Sequence, residues 1–330
     1  MSPESSGTSK LEPNLRQTFW RISSGSDNSC ISFEAGNEGQ SRGSEPDSWQ
    51  SVGQPLLDGH SWEMLSIAEA EWQQYDCLHY IDNGDFLIGI AKIAITPANF
   101  EKHSQHVYEA IIKTTGSRFI YRIWNYLPQI NREEPGMMEN YKLFCSGRAL
   151  AFLNHYGREG SVHFPSASAT GCEGNELTVV FLAGMTGVTH WENPEQLPAY
   201  KYPKKYGPCP PAFSRGSRFT DTKGGEWILV AGTAAIKGSE TLYPRDFSRQ
   251  LPVAFENMNT LLEQIGLNLA AQKMRRSHFK FFLRNRKNLS ALQAKIKDIL
   301  GPRDTYTIVQ ADICRADLEV EFELTIYPAG

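Results

Sequence analysis

The 330 residues carry 33 Lys+Arg against 37 Asp+Glu, a formal net charge of −4, and that balance gives no electrostatic footing for nucleic acid or an anionic membrane surface. Hydrophobic residues make up 40% of the chain, enough for one large core or two medium ones, while its longest apolar runs, such as FLIGIAKIAI (86–95), are too short to span a bilayer. The N-terminal MSPESSGTSK has no basic-then-apolar leader and the six cysteines are scattered without a CxxC pair, so the expectation is a reduced, cytoplasmic protein with no metal and no cofactor.

Residues 1–58 are rich in Ser, Gly, Glu and Asp, with one apolar patch at FWRI (19–22). So little apolar surface does not offset ordering entropy, and a flexible segment is expected. Globular patterning begins at 59. DFLIGIAKIAI (85–95) reads as a strand, HVYEAIIKTTG (106–116) as a helix and FIYRIWNYL (119–127) as a strand. MMENYKLFCSGRALAFL (137–153) reads as a second helix and ELTVVFLAG (176–184) as a closing strand, completing a unit over 59–192. His103 and His106 stand three apart but fit no established metal-ligand spacing, so they are given no metal.

The stretch 193–217 holds six of the chain's 18 prolines and the tyrosines Tyr200, Tyr202 and Tyr206. Proline at that density forbids regular structure and stiffens the backbone, so an ordered connector packed on the protein is expected. The second unit, 218–330, opens with the buried strand EWILVAGTAAI (226–236). Leu251, Phe255, Met258, Leu262 and Ile265 then recur at helical spacing, and Gly266 ends that helix. HFKFFLR (278–284) is a strand, LSALQAKIKDIL (289–300) a helix, and TYTIVQADI and LEVEFELTI are the last strands. The element order of the first unit returns in the second. The fold class is therefore α+β, two tandem βαβαβ units with helices packed on one face of mixed sheets.

Several residues stand out against these patterns. Arg148 shares a helical stripe with Tyr141, Phe144, Cys145 and Phe152; an arginine there either pairs with an anion or bends out to water. Arg215 follows the connector, and Tyr206 sits in YGP as either a packed ring or a hydroxyl donor. Thr233, Ala234 and Ala235 end a buried strand with small side chains, which accept a close helix or leave room for a ligand. In the last strand Leu318, Val320 and Phe322 alternate with Glu319, Glu321 and Glu323, so the acids should lie on a wet face. Cys314 precedes Glu321 by seven residues, and spacing alone leaves open whether the two meet.

A resemblance gathers these signals. GTAAI, the pattern G-x-E-x-x-x-P-x-D from Gly238, Gln250, N-x-x-x-L-L-x-x-x-G from Asn257, and DLEVEFE resemble the RidA/YjgF family over 226–327. GRALAF (147–152), FPSASATG (164–171), ELTVVFLAG, the connector through Arg215 and ADICRADLEVEFE (311–323) together resemble the chorismatases over about residues 75–330. That resemblance implies cleavage of chorismate, a cyclohexadiene bearing a ring carboxylate and an enolpyruvyl ether with a second carboxylate. It implies Glu321 as the catalytic acid and Arg148 and Arg215 as carboxylate forks, with Tyr206 as a hydroxyl donor. Tyr200, Thr233 and Ala235 are carried over as substrate-binding positions. Cys314 implies the hydroxybenzoate-forming branch, with 3-hydroxybenzoate and possible 4-hydroxybenzoate as products beside pyruvate, although that branch has glycine near Ala235. The competing readings are a diol-forming chorismate hydrolase, a RidA-like imine deaminase and a non-catalytic carboxylate binder. A monomer or a homo-trimer is implied.

Overall fold

Runs such as FLIGIA (86–91) are apolar at every position, a pattern that needs cover on both faces of a sheet. The computed structural model, which describes residues 17–25, 31–37, 49–68, 70–158, 160–272 and 275–328, shows what supplies it. Four strands come first: β1 (Gln17–Gly25), β2 (Ile31–Gly36), β3 (Trp49–Gly59) and β4 (Trp62–Ala68). The first unit is β5 (Glu71–Tyr75), β6 (Leu78–Asp82), β7 (Phe86–Ala94), α1 (Phe100–Thr115), β8 (Phe119–Pro128), α2 (Asn140–Tyr156), β9 (Ser166–Cys172) and β10 (Glu176–Gly184). The second opens with β11 (Val188–Trp191), β12 (Gly216–Thr220), β13 (Glu226–Ala234) and the small hairpin β14 (Ile236–Lys237) and β15 (Glu240–Thr241). It continues through α3 (Phe247–Glu263), α4 (Leu269–Gln272), β16 (Ser277–Leu283), α5 (Leu289–Lys297), β17 (Thr305–Gln310) and β18 (Val320–Ile326).

The duplication is written in the strand order. The first sheet runs β5-β6-β7-β10-β8-β9, and the second begins β11-β12-β13-β18-β16-β17. In each, two strands that come after helices pair in parallel, β8 (after α1) with β9 (after α2) and β16 (after α3 and α4) with β17 (after α5). The pairs β7–β10, β10–β8, β13–β18 and β18–β16 are antiparallel. The chain is thus an α+β fold of two like units, each larger than βαβαβ by a leading hairpin and one further strand. In the first unit that strand is β9, whose small residues SASATGC carry too little apolar signal to be read as a strand.

The expectation of a flexible segment over 1–58 needs correction. The sheet of the second unit continues as β17-β3-β1-β4-β2, with Ile308 opposite Asp58 and Val309 opposite Leu56. A preformed sheet edge supplies backbone partners that the segment's composition does not suggest, and Trp20, Ile22, Phe33 and Val52 are buried in the bargain. Residues 1–16, 26–30 and 38–48 lie outside the described residues. Helix α1 also starts earlier than its apolar spacing suggests, at Phe100, directly after a 3-10 turn over Pro97–Asn99.

Three cores explain the layering. Leu87, Ala91, Ile123, Leu127 and Val179 pack under α1 and α2 with Val107, Ile111 and Phe144. Phe279, Phe281, Val320, Phe322 and Leu324 pack under α3 and α5 with Leu251, Met258, Leu292 and Ile296. The alternate residues of both sheets face each other: Ile88, Ile90, Tyr121, Trp124 and Val180 meet Phe219, Trp227, Leu229 and Tyr327. Each sheet therefore has helices on one face and the other sheet on its second face. Among the described residues no helix is long and apolar enough to cross a membrane.

Candidate active site

The inter-sheet layer changes character along its length. At one end it is aromatic, with Tyr121 stacked on Phe219 at 3.9 Å. In the middle it is charged. Lys280 of β16 is wholly buried and hydrogen-bonds to Glu63 of β4, with Tyr126 of β8 at 3.3 Å. Arg122 of β8 donates to Glu323 of β18 at 2.6 Å and to Ser168 of β9 at 2.9 Å, and the Ser168 hydroxyl donates to Glu323 at 2.6 Å. Beyond this cluster the layer opens into a cavity of about 270 Å³, just below the usual range for ligand pockets and suited to a small ligand.

Glu321 stands at the floor of that cavity, only 4% exposed. The acidic face of β18 is therefore dry, because it is turned toward the first sheet, a neighbour that no local pattern reveals. Among the described residues none hydrogen-bonds the Glu321 carboxyl group. Burial first, and then the like charge of Glu323, raise it to about 8, against the opposing pull of Arg122 and Arg215. A carboxylic acid with a proton available at neutral pH is the result.

The backbone of β13 makes room for it. Ala234 lies opposite Glu321 in the β13–β18 pairing, after a register shift between Val230 and Thr233. A Cβ built on Gly232 would fall 2.1 Å from Glu321 Oε1, so only glycine lets the carboxyl group lie across this strand.

Three guanidinium groups enter from other directions. Arg148, on α2, is 1% exposed. Its Cζ lies 4.8 Å from the Phe144 ring centroid and 5.9 Å from that of Phe213. Among the described residues its Nη2 donates to Cys145 Sγ at 3.8 Å, the Tyr108 hydroxyl also interacts with the guanidinium, and its Nε is buried without a partner. No carboxylate of the described residues pairs with it. Arg215 donates to the Tyr202 hydroxyl at 2.9 Å and stands 3.8 Å from Glu192. Burial raises the Glu192 carboxyl to about 7 despite Arg215, so its neutralising charge is only partial at neutral pH. Arg315 lies over the Tyr206 ring at 3.9 Å and donates to Ser239 O at 2.8 Å, with Nη2 buried and unpartnered.

Cys314 lines the same cavity. Burial, then the charge of Glu321, push its thiol well above the ordinary range. It is a neutral S–H at working pH and no thiolate nucleophile.

The model family described as Chorismatase FkbO/Hyg5-like, N-terminal, matches residues 62–183. A 3-hydroxybenzoate synthase of Streptomyces hygroscopicus is 32% identical over 284 residues, covering 82% of this chain and 82% of its own length. The chain belongs to the chorismatase family. A chorismatase of Streptomyces rapamycinicus is 31% identical, over 76% of this chain and 77% of its own. A chorismatase crystal structure shares the fold with a TM-score of 0.73 at 24% identity, over 98% of this chain and 96% of that one.

Of the positions expected in this chorismatase-family site, Glu321, Cys314, Arg148, Arg215 and Tyr206 do line one cavity. Tyr200, Thr233 and Ala235 do not. The Tyr200 ring packs edge-on against Phe164 at 5.7 Å. Thr233 pairs with Phe322 on the helix side of β13, and its hydroxyl turns back to Ala231 O at 3.0 Å. Ala235 is buried with Val253 of α3 and Leu318. The residues that take their places are Tyr202, Gly232 and Ala234, each displaced by one or two positions. Arg315 and Glu192 had no periodic signal to mark them. A charged residue inside the short turn ICRAD was the available hint for Arg315.

Proposed function

We propose that this chain cleaves chorismate to 3-hydroxybenzoate and pyruvate. The observation that carries the reading is a buried carboxyl group, pushed up to about 8, in the same cavity as the buried guanidinium of Arg148, which pairs with no carboxylate of the described residues. A small dianion suits that arrangement. At an effective dielectric of 20, opposite charges about 4 Å apart attract by roughly 4 kcal/mol, and Arg148, Arg215 and Arg315, which all line the cavity, offer cationic partners for two carboxylates. Tyr206 and Tyr202 line the same cavity. The relative's name, 3-hydroxybenzoate synthase, supports the choice of product.

In this reading Glu321 gives its proton to the terminal CH2 of the enol ether. The double-bond electrons form the new C–H bond, leaving positive charge shared between carbon and the ether oxygen. The neighbouring ring hydroxyl then displaces that oxygen, the C–O electrons leave with it, and pyruvate departs as a neutral ketone. The strained ring ether opens, its oxygen recovers the hydroxyl proton, and loss of the ring C–H proton makes the ring aromatic and restores Glu321. No water and no net proton are consumed. Cys314, a small neutral thiol beside the acid, steers the ring toward its own hydroxyl in place of water.

Incubation with chorismate tests this, with pyruvate and aromatic acid measured separately. Equal yields of both are expected. Pyruvate without an aromatic acid points to diol-forming hydrolysis, and no consumption of chorismate sinks the reading. Glu321→Gln is expected to lower kcat by about 10²–10⁴ with the fold retained, and near-normal turnover removes Glu321 from the mechanism. Cys314→Ala is expected to move the product ratio; an unchanged ratio refutes the steering role.

A further inference from the structure

The charged cluster behind Glu321 takes no part in the steps above, yet its construction is costly. Arg122 is 1% exposed, Lys280 0%, Glu63 3% and Glu323 4%, and moving such groups from water into a protein costs several kcal/mol each unless they are well paired. Five strands from three parts of the chain bring them together: β4, β8, β9, β16 and β18. Packing alone would be served as well by apolar side chains, as it is at the aromatic end of the same layer.

Geometry indicates what the charges serve. Glu321 and Glu323 are two residues apart on β18 and point the same way, the first into the cavity and the second into the cluster. Glu323 is fixed by Arg122 and Ser168, so its negative charge cannot swing away from Glu321. We propose that Glu323, clamped by Arg122 and Ser168, is a positioning residue whose fixed charge sets the protonation of the catalytic acid. The inference rests on Glu321 being that acid.

Every charged group near the pair enters the sign. Burial is the largest influence on Glu321; Glu323 on the same strand comes next and opposes its ionisation more strongly than either Arg122 from β8 or Arg215 from the strand entry before β12, taken singly, favours it. Cys314 is neutral. Behind Glu323 stand Lys280 of β16 and Glu63 of β4. Burial works against the Lys280 charge, but Glu63, Tyr126 and Glu323 outweigh it and hold the ammonium above its ordinary range. Lys280 lies directly opposite Glu323 in the β16–β18 pairing and has its own carboxylate partner in Glu63.

The test is the pH dependence of kcat/KM and, independently of turnover, the titration of the Glu321 carboxyl carbon by 13C NMR in glutamate-labelled protein. Glu323→Gln keeps the shape and the hydrogen-bond acceptor but removes the charge. Its basic limb and its Glu321 titration are expected to fall by about 1–2 pH units, with activity at low pH retained. In the double variant Arg122→Met, Glu323→Gln no charge is stranded, and the limb is expected below the wild type but by less than in the single variant. This second variant carries the test should the single one fail to fold. A limb that stays in place or rises in either folded variant overturns the proposal. The acid reading fails separately, through an active Glu321→Gln; an inactive Glu321→Gln with an unmoved limb in Glu323→Gln defeats the positioning role alone.

Discussion

Gly232 is where the acid and the backbone compete for the same space. The clash a Cβ would make there is with the end of the Glu321 side chain, at 2.1 Å from Oε1 and 2.6 Å from Cδ. A side-chain end can swing aside, so Gly232→Ala should cost little stability and displace the carboxyl group instead. A misplacement of about 1 Å in a reacting group can lower rate by about 10². We therefore expect Gly232→Ala to fold with a melting temperature close to wild type and to lose about tenfold to a hundredfold in kcat. Wild-type kcat would show that Glu321 does not need its observed position. The same strand shows how far single residues were legible. GTAAI marked the right strand end, but period-two geometry assigns neighbours to opposite faces. Thr233 and Ala235 fell on the helix side while Gly232 and Ala234 face the cavity, and the register shift after Val230 that decides this is a property of the pairing with β18.

At the scale of elements, apolar spacing located most strands and helices, and it located Arg148 on its helix. It did not say how closely that helix approaches its neighbour. A Cβ on Gly147 would lie 2.2 Å from Glu101 O and 2.8 Å from Gln105 N, both backbone atoms of α1. Unlike a side-chain end, a backbone cannot step aside without moving the helix. Gly147→Ala is expected to push α2 off α1 at the cost of about 1–3 kcal/mol, read from urea unfolding. Because Arg148 is the next residue, KM for chorismate should rise more than kcat falls. Unchanged stability would mean that the two helices have slack at this contact. What sequence left out at this scale was mostly cover. β9 has small residues and pairs with β8, while β3 pairs with the distant β17 edge and β1, β4 and β2 add to it in turn. The glutamate face of β18 was read as wet for the same reason, since the sheet that covers it lies more than a hundred residues away in the chain.

For the whole molecule, the protonated acid has a price in stability, and the sign can be worked out. Glu321 has a folded value of about 8 against an ordinary 4.5. Between those two values the folded chain holds a proton that the unfolded chain has released, so stability falls as pH rises through the window. Below it both states are protonated, and the group costs nothing. Each pH unit is about 1.4 kcal/mol, which sets an upper bound of roughly 5 kcal/mol above pH 8. Glutamine of the same shape never ionises, so Glu321→Gln escapes the penalty. The variant should match the wild type in urea unfolding near pH 4.5, exceed it increasingly toward pH 8, and hold a constant advantage beyond. Other titrating groups largely cancel in the difference between the two curves. A difference that stays flat from pH 4.5 to 9 would mean that Glu321 is an ordinary carboxylate in the folded chain, and that the desolvation on which the proposed protonation depends is absent.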